Sequence, residues 1–84
     1  MNISTNKFIE LSKKEIKKYL DKYTFYILGS TDSIWQVWYA HTIQNHKGIF
    51  ATPLYLFECA YNGDDNKLYI DCYTKVHKEE IYVE

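Results

Sequence analysis

The amino-acid sequence predicts an α+β fold in which one N-terminal helix packs on a four- to five-stranded antiparallel meander sheet. Three observations lead to this prediction. Apolar side chains recur at helical spacing over residues 13–23, whereas aromatic and β-branched residues dominate the chain beyond Tyr23. Turn-forming clusters also separate the later segments, and short connections between successive strands favour antiparallel neighbours.

The length of 84 residues predicts a single domain spanning residues 1–84. Apolar residues make up 46% of the chain and aromatic residues 18%. This content is too high for a disordered chain and provides large side chains for a small core. The sequence therefore predicts a folded domain.

The helix is predicted over residues 12–23. Ser12 and Glu15 have the spacing of a capping box, in which a serine hydroxyl accepts from the backbone at the helix start and a glutamate reaches back. Residues 1–11 are predicted to be either an extended arm or a helical lead-in.

Residues 24–84 are predicted to form the antiparallel sheet. The predicted strands are residues 24–28, 34–43, 49–62 and 68–76, with a short fifth strand possible at 81–83. The predicted turns are residues 29–33, 44–48 and 62–66. Pro53 marks an edge or a bend within the third strand, because proline cannot donate to a strand ladder.

A single helix covers one face of a sheet, so the other face bears on function. Strict alternation along the strands predicts a mixed aromatic, aliphatic and charged outward set. This set comprises Ile34, Gln36, Trp38, Leu54, Leu56, Glu58, Tyr69, Asp71, Tyr73 and Lys75, and Asp64 and Asp65 in the adjoining turn extend the predicted partner-binding residues. The predicted core set of the second strand comprises Trp35, Val37, Tyr39, His41 and Ile43. An apolar patch of this kind indicates a partner or a self-contact, unless the sheet curls or residues 1–11 cover it.

Charge is unevenly distributed along the chain. Residues 1–23 carry six lysines against three acidic residues, whereas residues 24–84 carry four lysines against eight. The chain contains no arginine, which disfavours sequence-specific DNA recognition. An acidic sheet instead favours a protein partner with a basic surface.

No catalytic, cofactor or metal site is predicted. The three glycines lie in separate predicted turns, so none forms a phosphate loop. His41, His46, His77, Cys59 and Cys72 lack the paired spacing of zinc ligands. The two cysteines are predicted to be buried thiols; the alternative is a cross-strand disulfide, since the prediction places them nearly opposite each other across residues 63–67.

The functional hypothesis is a non-enzymatic protein-binding module located in the cytoplasm. Its most specific form is a small inhibitor of a host nucleic-acid enzyme or defence complex, of the anti-CRISPR or anti-restriction type and encoded by a phage or other mobile element. The residue bias typical of AT-rich codons motivates this source: Lys, Ile, Asn, Tyr and Phe total 37 residues, whereas Ala, Gly, Pro and Arg total 7. The alternatives are a single-stranded nucleic-acid-binding protein that uses the sheet aromatics and a structural homodimer. No secretion signal or membrane span is predicted.

Overall fold

The computed structural model describes residues 3–25, 28–74 and 79–83. Helix α1 (Thr5–Tyr23) is followed by a short 3-10 helix (Thr31–Ser33) and by strands β1 (Trp35–His41), β2 (Asn45–Ala51), β3 (Tyr55–Asn62) and β4 (Lys67–Thr74). The strands form one antiparallel sheet in the order β1-β2-β3-β4. The predicted α+β class and meander are therefore confirmed, with four strands.

Helix α1 begins two turns earlier than predicted. The hydroxyl of Ser4 accepts a hydrogen bond from the backbone N–H of Lys7 at 3.0 Å, which makes Ser4 the N-cap. Ser12 lies inside the helix, on the buried stripe between Phe8 and Ile16. The capping box at Ser12 is thus wrong, because burial of Phe8 against the sheet extends the helix towards the N-terminus.

The predicted third strand is two strands. Thr52 and Tyr55 bond to each other through backbone and hydroxyl groups, and this closes a tight turn around Pro53. Pro53 therefore marks a bend, which is one of the two alternatives predicted for it. Thr42 and Asn45 exchange backbone hydrogen bonds, so β2 already begins at Asn45 within the predicted 44–48 turn.

Gly48 is a strand residue rather than a turn residue. A Cβ atom at this position would lie 2.9 Å from Cε2 of Phe50 and 3.1 Å from Cε2 of Phe8. Glycine therefore allows α1 to approach the middle of the sheet.

The turn at residues 62–66 is confirmed. The side chain of Asn62 accepts from the backbone N–H of Asp64 at 2.9 Å, and Asn66 adopts a left-handed conformation with φ of 53°.

Two other predicted strands are corrected. Thr24, Phe25 and Leu28 lie outside any strand, and residues 26–27 of the same prediction lie outside the described part of the chain. Residues 79–83 show no strand, so the fifth strand at 81–83 is wrong. Residues 75 and 76 of the predicted fourth strand also lie outside the described residues.

The core lies between α1 and one face of the sheet. It consists of Phe8, Ile16, Leu20, Leu28, Ile34, Phe50, Phe57, Cys59 and Tyr61. Ile34 was predicted to face outward, but it precedes β1 and is 1% exposed. The residue therefore belongs to the core.

Candidate functional site: the outer face of the sheet

The sheet surface opposite α1, here termed the outer face, contains three cross-strand rows that span the whole sheet and a shorter row at one end, Asn45–Asn62–Lys67. Directly paired residues of an antiparallel sheet point to the same side, so the strand register defines each row. The three full rows are Trp35–Ala51–Leu56–Tyr73, Trp38–Ile49–Glu58–Asp71 and Ala40–Lys47–Ala60–Tyr69. Each of these three rows crosses all four strands.

A β-bulge places both tryptophans on the outer face. The register of β1 against β2 shifts between Gln36 and Trp38, which leaves Val37 as an extra residue. Strict alternation would point Trp35 and Trp38 to opposite faces, whereas the inserted residue restores the same direction for both. The predicted core position of Trp35 is therefore wrong.

Other predictions for residues 36–43 are also corrected. Val37 is 58% exposed, and Ile43, in the β1–β2 turn, is 87% exposed, so neither joins the core. His41 is exposed and only Tyr39 packs against the core. Gln36 pairs with Phe50 and so belongs to the helix side of the sheet, although it is exposed at the edge.

The outer face is apolar and aromatic over most of its area. Its large apolar side chains, together with Leu54 in the β2–β3 turn, are between 41% and 59% exposed; they are Trp35, Trp38, Leu54, Leu56, Tyr69 and Tyr73. A depression of about 220 Å³ lies among Ile49, Leu56, Phe57, Glu58 and Tyr73. No segment of the described chain covers these side chains.

Four charged residues lie on the outer face: Lys47, Glu58 and Asp71 in the rows above, and the exposed Lys67, which pairs with Asn62 one row beyond Tyr69. Lys47 Nζ is 3.2 Å from Glu58 Oε1, so these two charges are paired. Asp71 lies directly opposite Glu58 in the register, and no cation of the described residues forms an ion pair with it. The middle row therefore carries one acidic group in excess.

The sequence-predicted site residues are partly brought together. Trp38, Leu56, Glu58, Tyr69, Asp71 and Tyr73 share the outer face, and Leu54 adjoins it. Asp64 and Asp65 instead lie at the end of the sheet, where Asp64 and the β1–β2 turn line a common cleft. Lys75 lies outside the described residues. The prediction missed three outer-face residues, Trp35, Lys47 and Ile49. Trp35 was missed because a bulge has no local sequence signature. Lys47 and Ile49 were missed because β2 was not predicted to begin before residue 49.

Neither cysteine is poised as a nucleophile. Burial raises the pKa of Cys59 to about 12, and a contact with the Ser12 hydroxyl opposes this only in part. That contact falls short of hydrogen-bond geometry, so Ser12 Oγ is buried without a hydrogen-bond partner among the described residues. Burial also raises the pKa of Cys72, and an interaction with the Tyr19 hydroxyl opposes this only in part. A protonated thiol attacks poorly.

The cysteines do not lie directly opposite each other. Cys59 pairs with Ile70 and Cys72 with Phe57, which places the two sulfur-bearing residues one row apart on the helix side. Diagonal neighbours of this kind are about 7–8 Å apart, farther than a disulfide spans. Both are free thiols.

A second polar cluster ties the N-terminal segment to the sheet. His46 Nε2 lies 2.9 Å from the carbonyl oxygen of Ile3, and its Nδ1 lies 2.6 Å from the hydroxyl of Tyr39. Because a carbonyl only accepts, Nε2 carries the proton and Nδ1 accepts from Tyr39. Burial lowers the pKa of His46, while the bond to Ile3 opposes that shift and nearby His41 adds to it.

The described residues hold neither a metal-ligand cluster nor a membrane-spanning helix. Within residues 3–25, 28–74 and 79–83, no three His, Cys, Asp or Glu side chains group as metal ligands. His77 of the predicted candidate set lies outside these ranges. Neither helix described there is both long and apolar enough to cross a membrane.

The fold and the outer face define a small α+β domain with one uncovered, aromatic-rich sheet surface. The chain belongs to the family described as a family of unknown function (DUF6275), whose model matches residues 3–83. No curated protein matches the chain. No solved structure matches it either.

Proposed function

We propose that this protein is a non-enzymatic protein-binding domain whose outer face docks on a protein partner with a basic surface. The observation that carries the proposal is the exposure of six large apolar side chains, two of them tryptophans, around the one sheet face that α1 leaves uncovered. Contiguous apolar patches of this kind are uncommon on monomeric domains and mark interaction sites.

The residue types suit a protein interface. Tryptophan and tyrosine contribute a large share of binding energy in measured interfaces, where they form the desolvated centre of the contact. Trp38 and Tyr73 lie in neighbouring rows, and the apolar side chains of Ile49 and Leu56 lie between them on β2 and β3. Together they support a continuous contact surface.

The charges support a basic partner. Asp71 and the exposed Asp64 and Asp65 at the adjoining sheet end attract positive surface, and Lys67 offsets one of these three charges. In its specific form the proposal makes the partner a nucleic-acid-binding enzyme or defence complex of the host cell, which the protein inhibits by covering its basic site. In this version of the proposal the protein is encoded by a phage or other mobile element, the source that the residue composition favours.

Site-specific photo-crosslinking tests the proposal. A benzoylphenylalanine is introduced at Tyr69 or at Tyr73 of the full chain, and nuclease-treated lysate of the natural host is irradiated. Tyr23 is the matched control, since it is a 63% exposed tyrosine on α1 and lies away from the outer face. We expect both outer-face positions, but not position 23, to crosslink to the same protein.

The outcomes separate the alternatives. Crosslinks of equal yield from all three positions, or from position 23 alone, contradict an interface on the outer face. A crosslink to a second copy of the chain indicates the homodimer instead. Crosslinking to nucleic acid in untreated lysate, with a steep decline as salt rises, indicates the single-stranded nucleic-acid-binding protein.

A further inference from the structure

The middle row of the outer face contains an unfavourable pair. Glu58 and Asp71 lie directly opposite each other on neighbouring strands, and like charges in this arrangement destabilise a sheet. Lys47 relieves Glu58 only, because it contacts that carboxylate at 3.2 Å and forms no ion pair with Asp71. A positive group from outside the described chain would therefore be favoured beside Asp71.

Two aromatic rings flank this carboxylate. Tyr69 and Tyr73 are two residues before and after Asp71, which places all three on one side of β4 with neighbouring Cα atoms about 7 Å apart. Both tyrosines are 50% exposed, so each keeps side-chain surface that a ligand beside the carboxylate can contact. Cations bind favourably over the faces of such rings.

The adjoining depression suits the methylene stem of a long side chain. It is about 220 Å³ in volume, and Ile49, Leu56, Phe57 and Tyr73 make its lining mainly apolar, with Glu58 as its single acidic residue. Long basic side chains place their methylene groups on apolar surface and their charged ends on polar groups. The depression and Asp71 thus offer both halves of such a contact.

We propose that the outer face seats an arginine side chain of the protein partner, with its guanidinium group between Asp71 and the rings of Tyr69 and Tyr73. Arginine suits this place better than lysine, because its planar group stacks on aromatic rings and donates two parallel hydrogen bonds to one carboxylate. This inference rests on the proposed protein-binding function and specifies the chemistry of the partner.

Peptide selection against the immobilised full chain tests the inference. A random peptide library is selected on the wild-type protein, and the dissociation constant of each recovered peptide is measured with wild type, Asp71→Asn and Tyr73→Leu. Asp32→Asn is the matched control, since Asp32 is an exposed acid in the 3-10 helix, which packs against α1.

We expect recovered peptides to share an arginine whose replacement by the uncharged isostere citrulline weakens binding about ten- to hundredfold, the usual effect of losing a charge-assisted hydrogen bond. Asp71→Asn should cause a similar loss, and Tyr73→Leu a smaller one because leucine retains apolar area. Asp32→Asn should leave the affinity unchanged.

Other results discriminate between the two proposals. Peptides that bind the outer face without a basic residue, and that tolerate Asp71→Asn, overturn the arginine site and leave the protein-binding function standing. Peptides whose affinity responds to neither Asp71→Asn nor Tyr73→Leu, or a selection that recovers no binder, contradict both.

Discussion

At the scale of single residues, buried polar and small side chains join the N-terminal helix to the sheet. His46 is 2% exposed and links Tyr39 on β1 to the carbonyl of Ile3 before the helix. Phe8 stacks on the imidazole ring of His46 at a centroid distance of 5.2 Å. Local sequence does not reveal this role, because His46 was predicted to lie in a turn.

The burial of His46 predicts a stability that falls as pH decreases. Its pKa is lowered in the folded protein, so below the ordinary value of 6.5 the unfolded chain binds a proton that the folded chain does not. The contribution of neutral His46 to the free energy of unfolding is fully present above that pH. It declines as pH falls from there to the lowered pKa of the folded state. Urea unfolding measured between pH 7.5 and about 5 should show this decline.

The variant His46→Gln should reduce the pH dependence over that range, at the cost of a lower free energy of unfolding at neutral pH. His41→Gln is the control, since His41 is exposed and should leave most of the pH dependence in place. An unchanged slope in His46→Gln would contradict the assignment.

Gly48 should tolerate no side chain without loss of stability. In Gly48→Ala the new Cβ would meet the rings of Phe50 and Phe8, both fully buried and thus unable to move freely. Overpacking of this kind costs about 1–3 kcal/mol. Chemical denaturation should show the loss, whereas Gly29→Ala, which has open space for a Cβ, should be neutral or slightly stabilising.

At the scale of elements, tertiary packing overrides the local signal for the start of α1. Ser12 and Glu15 have the spacing of a helix start, yet Phe8, Ser12, Ile16 and Leu20 form one buried stripe at intervals of four residues. The apolar residues before Ser12 are compatible with either an extended arm or a helical lead-in. Only their contact with the sheet decides in favour of that alternative.

Two serine variants distinguish the observed helix start from the predicted one. Ser4→Ala should lower the free energy of unfolding by about 1 kcal/mol, because it removes the N-cap hydrogen bond to Lys7. Ser12→Ala should change it by less than about 0.5 kcal/mol or raise it, since it removes a buried hydroxyl that lacks a hydrogen-bond partner among the described residues. Equilibrium unfolding with urea measures both, and the reverse order of effects would indicate a start at Ser12.

The strands and turns likewise divide into features that the local sequence encodes and features that tertiary packing decides. The turn at residues 62–66 is encoded locally by Asn, Gly and Asp residues, so its position was predictable. The β1–β2 turn is centred on Ile43 and Gln44, which carry no turn signal, and Gly48 attracted the prediction instead. The turn was therefore predicted at the wrong place. Glycine is required at position 48 because α1 packs closely against β2, and not because the chain turns there.

At the scale of the whole molecule, one helix and one open sheet leave one large face uncovered. Alternation in β3 and β4 placed Leu56, Glu58, Tyr69, Asp71 and Tyr73 on that face correctly. The prediction failed on β1, where the bulge changes the phase of the strand. The outer face consequently contains one more tryptophan than the sequence indicated.

Trp38 should contribute to binding and little to folding. Its side chain is 47% exposed, so Trp38→Ala should change the free energy of unfolding by about 1 kcal/mol or less while strongly reducing the crosslinking yield from Tyr69 and Tyr73. Denaturation and photo-crosslinking of the same variant measure the two effects. A full crosslinking yield would remove Trp38 from the interface.

The sequence by itself determined the α+β class, the N-terminal position of the helix, the antiparallel meander and the faces of β3 and β4. These features depend on local periodicity and on turn residues, which are read within a few positions. The tertiary structure alone decided the start of α1, the place of Gly48, the bulge in β1 and the contacts of His46. Each of these depends on which residues from distant parts of the chain meet. At the start of α1, for example, the burial of Phe8 against the sheet outweighs the local capping signal at Ser12.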